Sequence, residues 1–209
     1  MLFLGSKKYP NGDDFFKTIS ENNGKFNAYT DREVTNYFFE IHNFSFENAL
    51  EIFSRFFIDP LFKKEKLEKE INSVNSEFEK NLIIDSRKRS QIYAHLTNID
   101  DPYNRFTTGN LDTLMKNSKK NNQTLTDELI KFHKKHYTSE KMNLVIYTNE
   151  DLNDMEEIVI EKFSGIKPSE DYIDNNSNNN NDKKQKNNFI KNINKNPNKT
   201  LVGKINSDN

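Results

Sequence analysis

The chain contains no cysteine and no tryptophan, and it has only six glycines and five prolines among 209 residues. The lack of cysteine excludes disulfide bonds and thiolate metal ligands within the chain, which fits a reducing compartment, and we expect a cytoplasmic protein. No apolar run approaches the roughly 18 residues that cross a membrane. The net charge of −1 provides no electrostatic basis for binding nucleic acid or an anionic membrane. We therefore expect neither as a partner.

Hydrophobic residues are also scarce, at 33% of the chain against 30% charged residues. The cause is visible from about residue 175 onward, where asparagine and lysine dominate, as in NNSNNNNDKKQKNN. Such a segment cannot bury enough apolar area to offset the entropy lost on ordering it. We predict a folded domain over 1–173 and a low-complexity disordered tail or surface insertion over 174–209. Within the tail, Leu201 and Val202 could resume a strand.

The pattern within 1–173 predicts an α+β domain, a two-layer arrangement with helices packed on one face of a mostly antiparallel sheet. Short runs rich in aromatic and β-branched residues indicate the strands, and apolar residues at helical spacing indicate the helices. The predicted strands are 26–31, 34–42 and a buried strand at 142–148. The predicted helices are 13–22, 46–57 with Ser45 as N-cap, 65–81, 85–97, 111–117, 126–136 and 151–163.

The predicted helix 65–81 carries the first candidate functional residues. Glu70 and Glu77 lie seven residues apart, about two turns, so both leave the same side of the helix. Val74 lies between them on that side. Spacing alone leaves two interpretations open, because helices rich in glutamate and lysine are most often simply solvated.

Several segments together resemble the insulinase branch of the pitrilysin-type inverted-zincin metallopeptidases, the insulin-degrading-enzyme-like family. They occur in the family's order and span about 1–165, most of the predicted domain. The segments are MLFLGSKKYP at 1–10, NAYTDREVTNYFFE at 27–40, ALEIFSRFFIDPLF at 49–62, EINSVNSEFEKN at 70–81, NRFTTGN at 104–110 and LIKFHKKHYTSEKMNLVIY at 129–147.

The resemblance implies the N-terminal catalytic domain of a zinc endopeptidase. In such enzymes an H-x-x-E-H helix supplies two histidine ligands and a general base, and a glutamate on a later helix supplies the third ligand. Zinc held by three protein ligands keeps a fourth position for an activated water. The resemblance assigns the third ligand to Glu77 and a supporting role, orienting a ligand and tuning charge, to Glu70. Asn27 and Ala28 match the family's edge strand that pairs with the substrate backbone, although an ordinary solvated strand is the alternative.

The chain departs from the family at one point, since it contains no H-x-x-E-H. In the family that motif stands immediately before the segment that matches MLFLG. We therefore expect a fragment whose sheet is incomplete and which cleaves no peptide alone, with zinc bound only once further domains or another chain complete the site. The alternative is a catalytically inactive peptidase-like domain that serves as a partner or scaffold. His133 and His136 could in principle bind a metal, but three lysines on their helix favour a cationic surface.

Overall fold

The structure is a computed structural model, and it describes residues 2–31, 33–106, 108–119, 124–170, 172–173 and 200–203. It confirms the α+β class, with helices and antiparallel strand pairs. The predicted tail 174–209 lies outside the described residues except for 200–203. The helices are α1 Asp14–Glu21, α2 Asn43–Ile58, α3 Lys64–Asn81, α4 Asp85–His95, α5 Leu111–Lys119, α6 Leu125–His136 and α7 Leu152–Phe163. The strands are β1 Lys25–Thr30, β2 Thr35–Glu40, β3 Leu144–Tyr147 and β4 Thr200–Gly203.

The strands form two antiparallel pairs, β1 with β2 and β3 with β4. The second pair places a strand where Leu201 and Val202 were expected to form one. The chain divides into two compact units. Counting the described residues alone, we call them the α3 unit, 23–40 with 62–129, and the α2 unit, 2–22 with 41–61 and 130 onward. Helix α6 begins in the α3 unit and continues into the α2 unit.

The α2 unit has a core of stacked aromatic rings. The ring of Phe56 lies edge-on to those of Phe3 and Phe15, with centroids 5.3 Å apart in both pairs. Phe3 and Phe15 stack on each other at 5.5 Å, and Phe53 adds a fourth ring. Edge-on and offset pairs are the arrangements that aromatic quadrupoles favour. Phe3 is thus part of the aromatic core of the α2 unit.

A turn after the first 3₁₀ segment, Leu2–Leu4, is fastened to the end of α2. Gly5 has a φ of 122°, which L-residues with a side chain rarely adopt. The Leu61 amide donates to the Gly5 carbonyl at 2.9 Å, and the Lys7 amide donates to the Asp59 carbonyl at 3.0 Å. The positive φ, together with the Tyr9 and Pro10 carbonyl oxygens 3.2 Å from where a Cβ would lie, explains why glycine stands at position 5.

Glu51 of α2 is the centre of an ion-pair network. Lys8 donates a hydrogen bond to Glu51 at 2.6 Å, and the largely buried Lys162 of α7 approaches it at 3.7 Å. Arg55 lies 3.8 Å away along the same helix. Burial raises the pKa of Glu51, but the Lys8 hydrogen bond and the three cations outweigh it and hold the pKa below its ordinary value. The network ties the N-terminal segment and α7 to α2.

Two local predictions are corrected by the structure. Helix α2 begins three residues earlier than expected, with His42 at its N-cap. Ser45 therefore lies inside the helix, where it is buried and its hydroxyl donates to the Asn22 side chain at 2.6 Å. In β3 only Ile146 is buried, while Val145 and Tyr147 are exposed, so this strand is half-solvated rather than buried. Among the described residues, none of the helices is both long and apolar enough to span a membrane.

Candidate metal-ligand helix and substrate strand

Helix α3 packs through one apolar stripe. Leu67 and Ile71 are buried, and Val74 and Phe78 continue the stripe half-buried at the i+3 and i+4 spacing of a helix face. Glutamate, lysine and leucine favour helix, and neither glycine nor proline occurs between Lys64 and Asn81, which explains why the helix runs without interruption.

The two candidate glutamates lie on one side of this stripe. Each precedes a stripe residue by one position, Glu70 before Ile71 and Glu77 before Phe78, and both are helical neighbours of Val74. Glu70 is half-buried and Glu77 is exposed. Helix α3 therefore brings the two carboxylates to the same side, as their spacing predicts. Their assignment as supporting residue and metal ligand stays a prediction.

The helix is fixed by contacts within its own unit. The loop that contains Gly109 approaches α3 closely. A Cβ at position 109 would lie 3.2 Å from a methyl group of Val74 and from one of Leu114, so a residue larger than glycine would be crowded there. The Leu111 amide donates to the Asn75 side chain at 2.9 Å, which ties the start of α5 to α3. Phe78 meets the Phe106 ring edge-on at 5.8 Å. These contacts hold α3 between the two glutamates, at Val74 and Asn75, and directly after Glu77, at Phe78.

The candidate substrate strand β1 pairs with β2 over its full length. Asn27 lies opposite Phe38 and Ala28 lies opposite Tyr37 in the antiparallel register. Asn27 is exposed and Ala28 is half-buried. The Ala28 amide donates to the Asn27 side-chain oxygen at 2.8 Å. Among the described strands, β1 has β2 as its one neighbour, which leaves its other edge available for strand addition.

Two family models match the chain. "Insulinase (Peptidase family M16)" matches residues 1–100, and "Peptidase M16 inactive domain" matches residues 125–204. This chain belongs to the insulinase peptidase family. The second match extends through most of the asparagine-rich segment, and the predicted domain boundaries at 173 and 174 stay predictions.

Curated relatives of this insulinase-family chain agree with the assignment. It is 43% identical to insulin-degrading enzyme-like 2 of Arabidopsis thaliana over 80% of this chain and 17% of the relative. It is 42% identical to the A-factor-processing enzyme of Saccharomyces cerevisiae, over 79% and 16%, and 36% identical to human insulin-degrading enzyme, over 80% and 16%. The crystal structure of pitrilysin superposes with a TM-score of 0.74 at 30% identity, over 82% of this chain and 18% of that one. The chain thus spans about a sixth of the length of its relatives.

Zinc is the metal that the family implies, and the described residues do not make a zinc site by themselves. A catalytic zinc needs three protein ligands, whereas no group of three or more histidine, aspartate or glutamate side chains comes together among the residues that the structure describes. Glu77 has the chemistry and exposure of a single carboxylate ligand. It fits one position of a larger ligand set and not a complete site.

The histidines separate according to their burial. His133 is half-buried, stacks on Tyr137 with ring centroids 4.9 Å apart and donates to the Phe57 carbonyl. Burial lowers the pKa of His133, against the opposing effect of that hydrogen bond. His136 is exposed and lies over Phe132 at 4.5 Å. The interpretation of this helix as a cationic surface therefore holds for His136 but not for His133. The helical pattern of the sequence does not show which residues cover position 133.

Proposed function

We propose that this chain is part of a zinc metalloendopeptidase and contributes one ligand, Glu77, to its metal centre. The observation that carries the proposal is the pair Glu70 and Glu77 on one side of α3, in a chain that belongs to the insulinase family. Relatives include a protein named "Putative zinc protease mug138" from Schizosaccharomyces pombe, which supports zinc as the metal.

In this proposal the two carboxylates have different duties. The exposed Glu77 binds the metal through its carboxylate oxygens. Glu70 is half-buried and lies on the same side of the helix, where it orients a neighbouring ligand and adds negative charge near the site. The backbone of α3 sets the spacing of the two carboxylates, and the Gly109 loop approaches the helix closely at Val74, between them. The remaining ligands and the general base come from polypeptide outside this sequence, supplied by further domains or by another chain.

We propose that peptide substrates bind by adding a strand to the open edge of β1, beside Asn27 and Ala28. Main-chain hydrogen bonds along a strand edge accept varied side chains, and the small Ala28 leaves space above the backbone. The Asn27 side chain now holds the Ala28 amide. For a substrate carbonyl to use that amide, the Asn27 side chain would have to rotate away.

The test places this sequence in the context of a longer relative. The 167 matching residues of this chain replace the corresponding part of insulin-degrading enzyme-like 2, and cleavage of a fluorogenic peptide is measured with and without a chelator. We expect chelator-sensitive cleavage by the graft and none by the 209-residue chain alone. Glu77→Gln should reduce cleavage by more than a hundredfold, and Glu70→Gln by about 10- to 100-fold, as for groups that support metal ligands.

Glu68→Gln is the matched control, because Glu68 is an exposed glutamate on the same helix and should leave cleavage unchanged. Zinc content of each variant, measured by mass spectrometry, separates lost binding from lost chemistry. An active, zinc-replete Glu77→Gln graft would contradict the ligand assignment.

The second candidate is a non-catalytic peptidase-like domain that acts as a partner or scaffold. It is favoured by the match of residues 125–204 to the family model described as "Peptidase M16 inactive domain". The genomic sequence upstream of Met1 discriminates between the two functions. An in-frame H-x-x-E-H there supports the peptidase, whereas a different in-frame sequence, together with an inactive graft, supports the scaffold.

A further inference from the structure

Two asparagines of the chain are followed directly by glycine, Asn11 before Gly12 and Asn23 before Gly24. An asparagine side chain is chemically labile, because the amide nitrogen of the next residue can attack its carbonyl carbon. Glycine in the second position favours this attack, since it has no Cβ to crowd the ring that forms and its backbone rotates freely. The sequence therefore contains two equivalent candidates for deamidation, and the fold decides which of them reacts.

Asn23 lies in an open turn. Helix α1 ends at Glu21 and β1 begins at Lys25, so Asn23 and Gly24 belong to neither element. Asn23 is exposed and Gly24 is half-buried. Among the described residues, neither of the two takes part in a hydrogen bond. Asn23 has a φ of 51°, a left-handed conformation that asparagine tolerates but that costs energy. Little therefore opposes the backbone rotation that brings the Gly24 nitrogen to the side chain.

Asn11 stands in a tightly packed turn. Gly12 is buried and has a φ of 76°, which a residue with a side chain rarely adopts. Its Cα lies close to Gly5, where an added Cβ would come within 3.3 Å of it. The Ser6 amide donates to the Tyr9 carbonyl at 3.0 Å, and the Tyr9 amide donates to the Ser6 hydroxyl at 3.1 Å, which closes the turn. Packing therefore restrains the nitrogen that would have to attack Asn11.

We propose that Asn23 is a modification site, at which the chain deamidates spontaneously while the fold protects Asn11. The Gly24 nitrogen forms a bond to Cγ of Asn23. The bond from Cγ to the side-chain nitrogen breaks, and that nitrogen leaves as ammonia with the proton of the Gly24 amide. Water then opens the resulting succinimide ring at either carbonyl, which leaves aspartate or isoaspartate at position 23. The proposal goes beyond the peptidase function, since the reaction consumes only water and needs neither Glu77 nor a metal.

Either product changes the chain just before the candidate substrate strand. Each adds one negative charge to a chain whose net charge is −1. The isoaspartate product also places an extra CH₂ group in the backbone, two positions before Lys25, which lies opposite Glu40 at the start of the β1–β2 register. The modification can therefore be followed both as a change of charge and as a change of the peptide backbone.

The test incubates the folded 209-residue chain in mildly alkaline buffer, which promotes attack by the amide nitrogen, and follows each site by peptide mapping and mass spectrometry. Trypsin, which cuts after lysine, releases Asn11 in peptide 9–17 and Asn23 in peptide 18–25. We expect Asn23 to deamidate about tenfold faster than Asn11 or more, because a packed turn must open before it reacts. In concentrated urea, where the fold is lost, the two rates should converge.

Gly24→Ala tests the role of the second residue. The backbone at Gly24 lies outside the left-handed region, so alanine should fit, which circular dichroism verifies. Its Cβ should slow the reaction at Asn23 about tenfold. Asn22 is the internal control in the same peptide, because its side-chain nitrogen donates to the Thr18 carbonyl at 2.7 Å and its oxygen accepts from the Ser45 hydroxyl at 2.6 Å. It should remain asparagine.

Equal rates at Asn11 and Asn23 in the folded chain would overturn the proposal. So would an Asn23 that stays intact in the folded chain and reacts only in urea, or a Gly24→Ala variant that deamidates as fast as the unaltered chain. Loss of zinc-dependent cleavage in the graft would leave this result unaffected.

Discussion

Replacement of Phe56 by alanine should be among the most damaging single changes in the α2 unit. Phe56 is 1% exposed and contacts the rings of Phe3, Phe15 and Phe53. Burial and cavity effects for a buried phenylalanine cost about 3–5 kcal/mol, a range that includes the aromatic pair energies of roughly 0.5–1.5 kcal/mol each. That loss is comparable with the entire stability of many domains, about 5–15 kcal/mol.

The assay is urea unfolding followed by far-ultraviolet circular dichroism. Phe56→Leu, which keeps most of the volume, should lose about 1–2 kcal/mol and serves where the alanine variant is unfolded throughout. Phe44→Ala is the control on the same helix, because Phe44 is 82% exposed and its loss should change stability by less than about 0.5 kcal/mol. Equal losses at positions 56 and 44 would refute the assignment of the aromatic cluster as the core.

Three further outcomes are expected from unfolding measurements on the α2 unit. Burial lowers the pKa of His133 on folding, so the unfolded chain takes up the proton more readily and the free energy of unfolding falls as the pH drops below the ordinary value of 6.5. His133→Gln should flatten the stability profile below that pH. Glu51→Gln should cost about 1–3 kcal/mol, and less than that in a Lys162→Met background if the network couples them. The pKa of Glu51 is held below 4.5, so its contribution should be lost in acid as the pH falls below that value. Gly5→Ala should cost about 1–3 kcal/mol because of its left-handed φ, whereas an unchanged urea midpoint would contradict the strain.

The sequence predicted a helix or strand well where helix propensity or strand propensity was strong throughout the segment. Helix α3 was expected over 65–81 and runs from Lys64 to Asn81, because helix formers without glycine or proline leave few alternatives. The hairpin of β1 and β2 followed from aromatic and β-branched residues on both sides of a short turn. Helix α7 was expected over 151–163 and begins one residue later, because Asp151 is its N-cap and its side chain accepts from the Asn153 amide at 2.8 Å.

The predictions for Ser45 and His133 were wrong because both residues make contacts with residues distant in the sequence. Serine is a common N-cap residue, but the Ser45 hydroxyl donates to the side chain of Asn22, 23 positions earlier, and the helix already begins at Asn43. In the sequence, His133 is one of several polar residues on a basic helix. In the structure it is half-buried and forms a hydrogen bond with the Phe57 carbonyl near the end of α2. A periodicity argument sees neither contact. For the site, spacing predicted that Glu70 and Glu77 share a side, but it could not distinguish a ligand from a solvated carboxylate.

The two units use their apolar residues differently, and the candidate site lies in the unit that buries fewer of them. Within the described residues, the buried apolar side chains of the α3 unit are Leu67, Ile71 and Ala94, whereas the α2 unit holds the aromatic cluster and the rest of the core. The α3 unit relies more on polar ties such as Asn75 to Leu111, which water can replace at lower cost than buried contacts. Regions with few buried contacts open first. Glu77 therefore belongs to the part of the chain whose order a bound metal would increase most.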